Sequence, residues 1–180
     1  EKFREEENAK GIPIGVTRIG VHTGPATVGN FGSQSRMDFT ALGDTVNTAA
    51  RTEGVNKYFG TRIAATEEIV TKCGTNLFFL PIGDIVLKGK TVPVPLYNPV
   101  SEDFFNSEYA KEYRDVYNEL QKTDIEINLK DRNDNELQGH PVGNKMIELH
   151  KRFLNEPLAK FHTDRIQKGL ITTKVIMDSK

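Results

Sequence analysis

From Val16 to Thr23 apolar and polar residues alternate, Val16-Thr17-Arg18-Ile19-Gly20-Val21-His22-Thr23, which is the two-residue period of a half-buried strand. Thr27-Val28-Gly29-Asn30-Phe31 reads as a second short strand, with Gly24-Pro25 as the turn between them, and Met37 to Leu42 as a third. Gly43 breaks the third strand, and Asp44 is the expected N-cap of a helix through Tyr58 whose buried stripe would be Val46, Ala49, Ala50 and Val55. Gly60 ends that helix, Arg62-Ile63-Ala64 is a short strand, and Thr66 caps a helix through Lys72. Leu77 to Lys88 and Val92 to Tyr97 then form a strand pair about the turn Lys88-Gly89-Lys90.

The texture changes near Ser101. Twelve of the fifteen glycines lie between Gly11 and Val100, whereas the remainder is richer in charge and in aromatic residues at helical spacing. Phe105, Tyr109, Tyr113, Val116 or Tyr117, and Leu120 recur every three or four residues, the mark of an amphipathic helix. Thr123 to Gly139 is polar and loop-like. Met146, Leu149, Phe153 and Leu154 predict another helix broken near Pro157, and Leu170 to Met177 has strand propensity. The expected division is therefore an α/β part over residues 1–100 and a mainly helical extension over 101–180.

Composition narrows the function classes. The 180 residues carry 24 Lys and Arg against 25 Asp and Glu, a net charge of −1, which excludes a generally basic nucleic-acid binder. The longest apolar runs are a few residues, too short to span a membrane. The single cysteine, Cys73, has no partner for an internal disulfide, and none of the four histidines has a companion at metal-ligand spacing. The opening Glu1-Lys2-Phe3-Arg4-Glu5-Glu6-Glu7 lacks an initiator Met and reads as the tail of a helix begun upstream, so the chain is expected to be a piece of a longer protein.

The stretch from Gly29 to Arg51 carries the candidate chemistry. Asn47 and Arg51 are four residues apart on the helix that follows Gly43, so they share one face. An amide can hold a sugar oxygen and a guanidinium can meet charge growing on a phosphate. The same pair is also what a solvated helix face displays. Asp38 reads as a structural strand residue and His22 as a packed or hydrogen-bonded histidine, neither as a metal ligand.

Taken together, Arg18-Ile19-Gly20-Val21-His22-Thr23-Gly24, Val28-Gly29-Asn30-Phe31-Gly32-Ser33 and Arg36-Met37-Asp38-Phe39-Thr40-Ala41-Leu42-Gly43-Asp44-Thr45-Val46-Asn47 resemble the class III adenylyl/guanylyl cyclase catalytic domain. Arg51 follows at the family's spacing. Val86-Leu87-Lys88-Gly89-Lys90 resembles that family's late hairpin, and Val94-Pro95-Leu96-Tyr97 resembles its closing strand. The resemblance spans Gly11 to Pro99 and implies a ferredoxin-like α/β (α+β) domain, truncated at its N-terminus and paired head to tail. It implies attack of the ribose 3′ oxygen on the α-phosphate of a nucleoside triphosphate. By the same resemblance Asn47 orients the ribose, Arg51 stabilises charge on the α-phosphate, Lys88 contacts the terminal phosphates, and Thr40 reads the purine. A threonine there favours ATP over GTP, because its hydroxyl accepts from the adenine amino group.

The family's two divalent metal ions, Mg2+ or Mn2+, are held by aspartates that precede the segment present here, and the purine-reading lysine precedes it too. The resemblance thus implies the transition-state half of an adenylate cyclase site. A homodimer partner or a complementary cyclase domain would supply the metal-binding half. A guanylate cyclase and a non-catalytic module that regulates another cyclase are the alternative readings. The catalytic domain is expected in the cytoplasm, with room for a membrane anchor upstream, and the extension is expected to pack on it or to recruit a partner.

Overall fold

In the computed structural model, which describes residues 2–126 and 140–177, a five-stranded mixed sheet positions everything else. Its central strands are β4 (Ile63–Thr66), β6 (Val94–Val100) and β5 (Phe78–Val86), with β1 (Ile19–Val21) at one edge and β9 (Lys174–Ile176) at the other. β1 runs parallel to β4, with Ile19 opposite Ile63. β4 is antiparallel to β6, β6 is antiparallel to β5, and β5 runs parallel to β9, with Asp84 opposite Lys174. A short helix, α1 (Lys2–Ala9), precedes β1.

β2 (Thr27–Ser33) and β3 (Arg36–Leu42) pair with each other alone, as a hairpin outside the main sheet. Val28, Met37 and Phe39 are all exposed on it, Phe39 by 74%. Between Gly43 and Gly60 lies α2 (Asp44–Phe59), and α3 (Glu67–Cys73) follows β4 directly.

α2 lies across β1 so closely that a side chain at Gly20 would meet helix backbone: a β-carbon there would sit 2.2 Å from Glu53 N and 2.3 Å from Ala49 O. The face turned to the sheet matches the expected apolar stripe only in part, at Val55. Thr48, Thr52, Val55, Asn56 and Phe59 are buried, whereas Val46 and Ala50 are exposed. Asn56 tolerates burial because its amide is satisfied at both ends. Its Nδ2 donates to Ile19 O and Glu53 O, both at 3.0 Å, and its Oδ1 accepts from Thr61 Oγ1 at 2.7 Å.

The residues after 100 pack on this sheet. The aromatic stripe resolves into α4 (Glu102–Phe105) and α5 (Glu108–Gln121), two helices rather than one. Ser107 separates them, its Oγ accepting from Ala110 N as an N-cap. Ile125–Glu126 form β7, inside the segment expected to be a loop; residues 127–139 of that expectation lie outside the described residues. Pro157 does not break a helix but opens one, since a missing N–H is harmless in a first turn. α6 (Pro141–Arg152) ends before it and α7 (Pro157–Ile166) starts with it. The expected C-terminal strand is two strands in different sheets: β8 (Leu170–Ile171) pairs with β7, and β9 with β5. One apolar cluster joins Val55 and Phe59 of α2, Leu80 and Ile82 of β5, and Tyr113, Leu120, Met146 and Ile166 of the later helices.

Candidate functional site

The N-terminal half of α2 and the connection between β5 and β6 meet at one end of the sheet. Lys90 N donates to Leu87 O at 2.8 Å and closes a tight turn. Gly89 occupies it at φ +71°, a left-handed conformation that other L-residues adopt only with strain. Arg51, half-buried on α2, turns its guanidinium onto this turn, with Nη1 and Nη2 each 3.5 Å from where a Gly89 β-carbon would stand. Asn47 is one helical turn earlier and exposed, and Lys88 is exposed in the turn itself.

Lys90, to which the sequence assigned no role, ties the two parts together. Its Nζ lies 2.6 Å from Asp44 Oδ2, joining the turn to the first residue of α2. The hydrogen bond from Lys90 holds the Asp44 carboxyl below the usual carboxylate range; a small loss of hydration opposes it, and the charges of Lys90, Arg51 and His22 add to it. Asp44 is therefore not the helix cap expected. Gly43 takes the cap position without a side-chain bond, and Asp44, one residue later, is drawn to the lysine. The doublet Lys-Gly-Lys was visible in the sequence, but only the fold reveals which lysine meets the helix.

His22, at the end of β1, shares a 2.9 Å hydrogen bond between its Nδ1 and Thr66 Oγ1 and lies 3.7 Å from Glu68 Oε2. This matches the packed, hydrogen-bonded role expected of it. It also explains why the Thr66 hydroxyl does not cap α3, although Thr66 holds the cap position. Thr45 Oγ1 donates to Pro25 O at 2.6 Å, fixing the start of α2 against the link between β1 and β2.

Of the sequence-predicted residues, the structure brings Asn47, Arg51 and Lys88 to this one end. Thr40 lies on β3 opposite Gly29, exposed on the β2–β3 hairpin, which reaches α2 through Gly43. Among the described residues no three His, Cys, Asp or Glu side chains gather as a metal site. Asp44 is engaged by Lys90, and Asp38, largely exposed, is 3.9 Å from Arg36 Nε. The described residues therefore do not provide a divalent-metal site. What the site offers is three cations, Arg51, Lys88 and Lys90, against one carboxylate, with an amide beside them. Such a set suits a ligand that combines several anionic oxygens with a neutral one.

The profile of the adenylate and guanylate cyclase catalytic domain matches residues 2–98. Adenylate cyclase 1 of Rhizobium meliloti is 41% identical over 100 residues, which cover 56% of this chain and 15% of that protein. The adenylate cyclase of Anabaena cylindrica is 35% identical over 104 residues, 54% of this chain and 21% of that protein. The chain thus spans about a fifth or less of these curated relatives. Among solved structures, the adenylyl cyclase CyaB from P. aeruginosa is 32% identical with a TM-score of 0.49, covering 56% of this chain and 51% of that one.

Proposed function

Because the chain belongs to the adenylate and guanylate cyclase catalytic domain family, we propose that it carries the transition-state half of an adenylate cyclase site, converting ATP to 3′,5′-cyclic AMP and pyrophosphate. The observation that supports this reading most directly is the Arg51 guanidinium lying against Gly89, in the turn that bears Lys88 and one helical turn after Asn47. It joins a cation suited to an α-phosphate to a basic turn suited to the phosphates beyond it.

In the reaction the ribose 3′ oxygen attacks the α-phosphorus, the bond from that phosphorus to the bridging oxygen breaks, and pyrophosphate departs with the hydroxyl proton lost. Negative charge grows on the α-phosphoryl oxygens and on the leaving group. A fixed guanidinium at the first stabilises the transition state more than the ground state, and ammonium groups on the phosphates beyond it hold them in both states alike. We assign the first role to Arg51 and the second to Lys88, with Asn47 donating to or accepting from the ribose oxygens so that the 3′ oxygen is aimed in line. Thr40 would accept from the adenine amino group. The two divalent cations of the family would be held by residues of another segment or of a paired domain, either a second copy or a complementary cyclase domain. ATP as substrate points to the cytoplasm. Among the described residues no helix is long and apolar enough to cross a membrane. Residues 1–100 would be the cyclase part and 101–180 its extension.

The test is cyclic nucleotide formation from ATP and from GTP with Mn2+ by the protein at its natural length, alongside Asn47→Ala and Arg51→Ala. Cyclic AMP from ATP is expected, falling by about a hundredfold or more in either variant. A cyclic GTP product would reassign the base preference. A folded, dimeric protein that forms neither product would leave a non-catalytic partner of another cyclase.

A further inference from the structure

β5 leads straight into the turn that bears Lys88, Gly89 and Lys90, and residues beyond the family match grip it along its length. The pairing of β5 with β6 shifts register between Pro81 and Gly83. Ile82 has no partner opposite, and Pro81 has no N–H to give. Side chains of the C-terminal segment take up the carbonyls at this bulge. Tyr113 Oη donates to Pro81 O at 2.8 Å, and His162 Nε2 donates to Ile82 O at 3.0 Å.

The grip continues to the end of the strand. Asp84 N donates to Thr173 O at 3.0 Å, and Thr173 Oγ1 returns a bond to Asp84 Oδ2 at 2.6 Å. β9 then runs beside Asp84, Ile85 and Val86, and Met177 N donates to Val86 O at 3.1 Å. The next carbonyl along, that of Leu87, is the one that closes the turn with Lys90 N. Thr172 O and Lys174 O, which point away from β5, accept from the Arg165 guanidinium on α7. The outer edge of β9 is thereby closed by a side chain instead of standing open to another strand.

We propose that the C-terminal segment is a positioning element of the nucleotide site: through β9 and the paired bonds between Asp84 and Thr173, it fixes where β5 ends and so where Lys88 and Lys90 stand relative to Arg51. The consequence for substrate rests on the reading of Lys88 as a phosphate contact; the consequence for the turn does not. Thr173 touches neither substrate nor reacting atoms and acts through Asp84 and the strand. The residues responsible, Thr173 and Met177, lie outside the 2–98 segment by which the family is matched.

Two readouts separate these consequences. Thr173→Val keeps the shape and removes the donor, and Thr173→Ser keeps the donor. Hydrogen exchange of the Leu87–Lys90 amides should quicken by about threefold or more in Thr173→Val and return to the native rate in Thr173→Ser. KM for ATP should rise by about fivefold, the scale of one hydrogen bond, with kcat within about twofold, because the terminal phosphates are held in ground state and transition state alike. Met177→Pro removes the N–H donor to Val86 O just past the end of β9 and serves as the second variant should Thr173→Val not fold. Unaltered exchange at Leu87–Lys90 in a folded variant overturns the proposal, as does a fall in kcat with KM unchanged. A native protein that makes no cyclic nucleotide sinks the cyclase reading, and the exchange rates alone then decide the positioning claim.

Discussion

Gly20→Ala is the sharpest probe of how the sheet positions Arg51. The added methyl would lie 2.2 Å from Glu53 N, 2.3 Å from Ala49 O and 2.8 Å from Glu53 Cα. All three are backbone atoms, so no side chain can swing aside. The shortest contact falls about 1.2 Å inside the roughly 3.4 Å at which such contacts become tolerable, and α2 must part from β1 by about that much. Two effects oppose each other. Alanine stiffens the unfolded chain and favours folding by about 0.4–1 kcal/mol, whereas overpacking costs about 1–3 kcal/mol. The second wins because the clash is backbone on backbone. The net cost is about 1–2 kcal/mol, and at about 2–4 °C per kcal/mol for a chain of this size the melting temperature should fall by about 2–8 °C. Ala49 and Glu53 bracket Arg51 on the helix, so the guanidinium moves with them, and a shift near 1 Å predicts about a hundredfold loss of turnover. Gly54→Ala is the control on the same helix: nothing lies within 4 Å of its β-carbon position, and replacing a helical glycine should raise stability by about 0.5–1 kcal/mol. Thermal unfolding followed by circular dichroism, with cyclic AMP production on the same samples, reads both. A Gly20→Ala protein that melts within about 1 °C of the native one and turns over normally refutes the close approach and the positioning built on it.

Tyr113→Phe leaves Pro81 O without its donor and should lower stability by about 1 kcal/mol in urea titration; an unchanged midpoint would mean another donor takes that carbonyl. His162 is fully buried, and burial, with the charge of Arg165 adding and the bond to Ile82 opposing, pushes its pKa down to about 3 from 6.5. Between those values the unfolded chain binds a proton that the folded one does not, so stability is complete above pH 6.5 and declines as pH falls, by at most about 1.4 kcal/mol per unit. His162→Gln, which keeps a donor for Ile82 O, should flatten that part of the acid-denaturation curve, and an unaltered slope would show that His162 does not cause it. Lys90→Met should let the Asp44 carboxyl titrate closer to its ordinary 3.8, measured by NMR; a titration unmoved by the substitution would remove Lys90 as the cause of the depression.

Where the elements fall was partly legible because alternation and glycine breaks are local signals: β2, β3, the helix to Gly60 and the β5–β6 pair follow from them, whereas β1 keeps only Ile19–Val21 of the expected Val16–Thr23 and pairs with β4, not with β2. The face of α2 was not. Hydropathy favoured Val46 and Ala50, yet the sheet receives Thr48, Thr52 and Asn56. Gly20 brings the backbone of β1 so near that short polar residues fit, and Asn56 is held there by bonds to Ile19, Glu53 and Thr61, of which the one to Ile19 is set by tertiary contact. The split of Leu170–Met177 into β8 and β9 was invisible for a similar reason: strand propensity does not say which partner each half will find. Asn47, Arg51 and Lys88 could be nominated from motif spacing, whereas Lys90 and Thr173 act through pairings distant in sequence.

That distance has a mechanical meaning. Arg51 rides on α2, which is seated on β1 and β4, while Lys88 and Lys90 leave from β5. Between the two lies the ladder from β4 through β6 to β5, and across the gap on the open side lie the Lys90–Asp44 ion pair and the Arg51–Gly89 approach. An exposed ion pair contributes little rigidity by itself, so the precision with which the guanidinium and ammonium groups are set relative to one another must come from the sheet. A strand with a register shift in its middle would be the weak member of that sheet. The Tyr113, His162 and Thr173 bonds fall where β5 departs from regular pairing or approaches the turn, and this is why the C-terminal segment matters to a site to which it contributes no side chain.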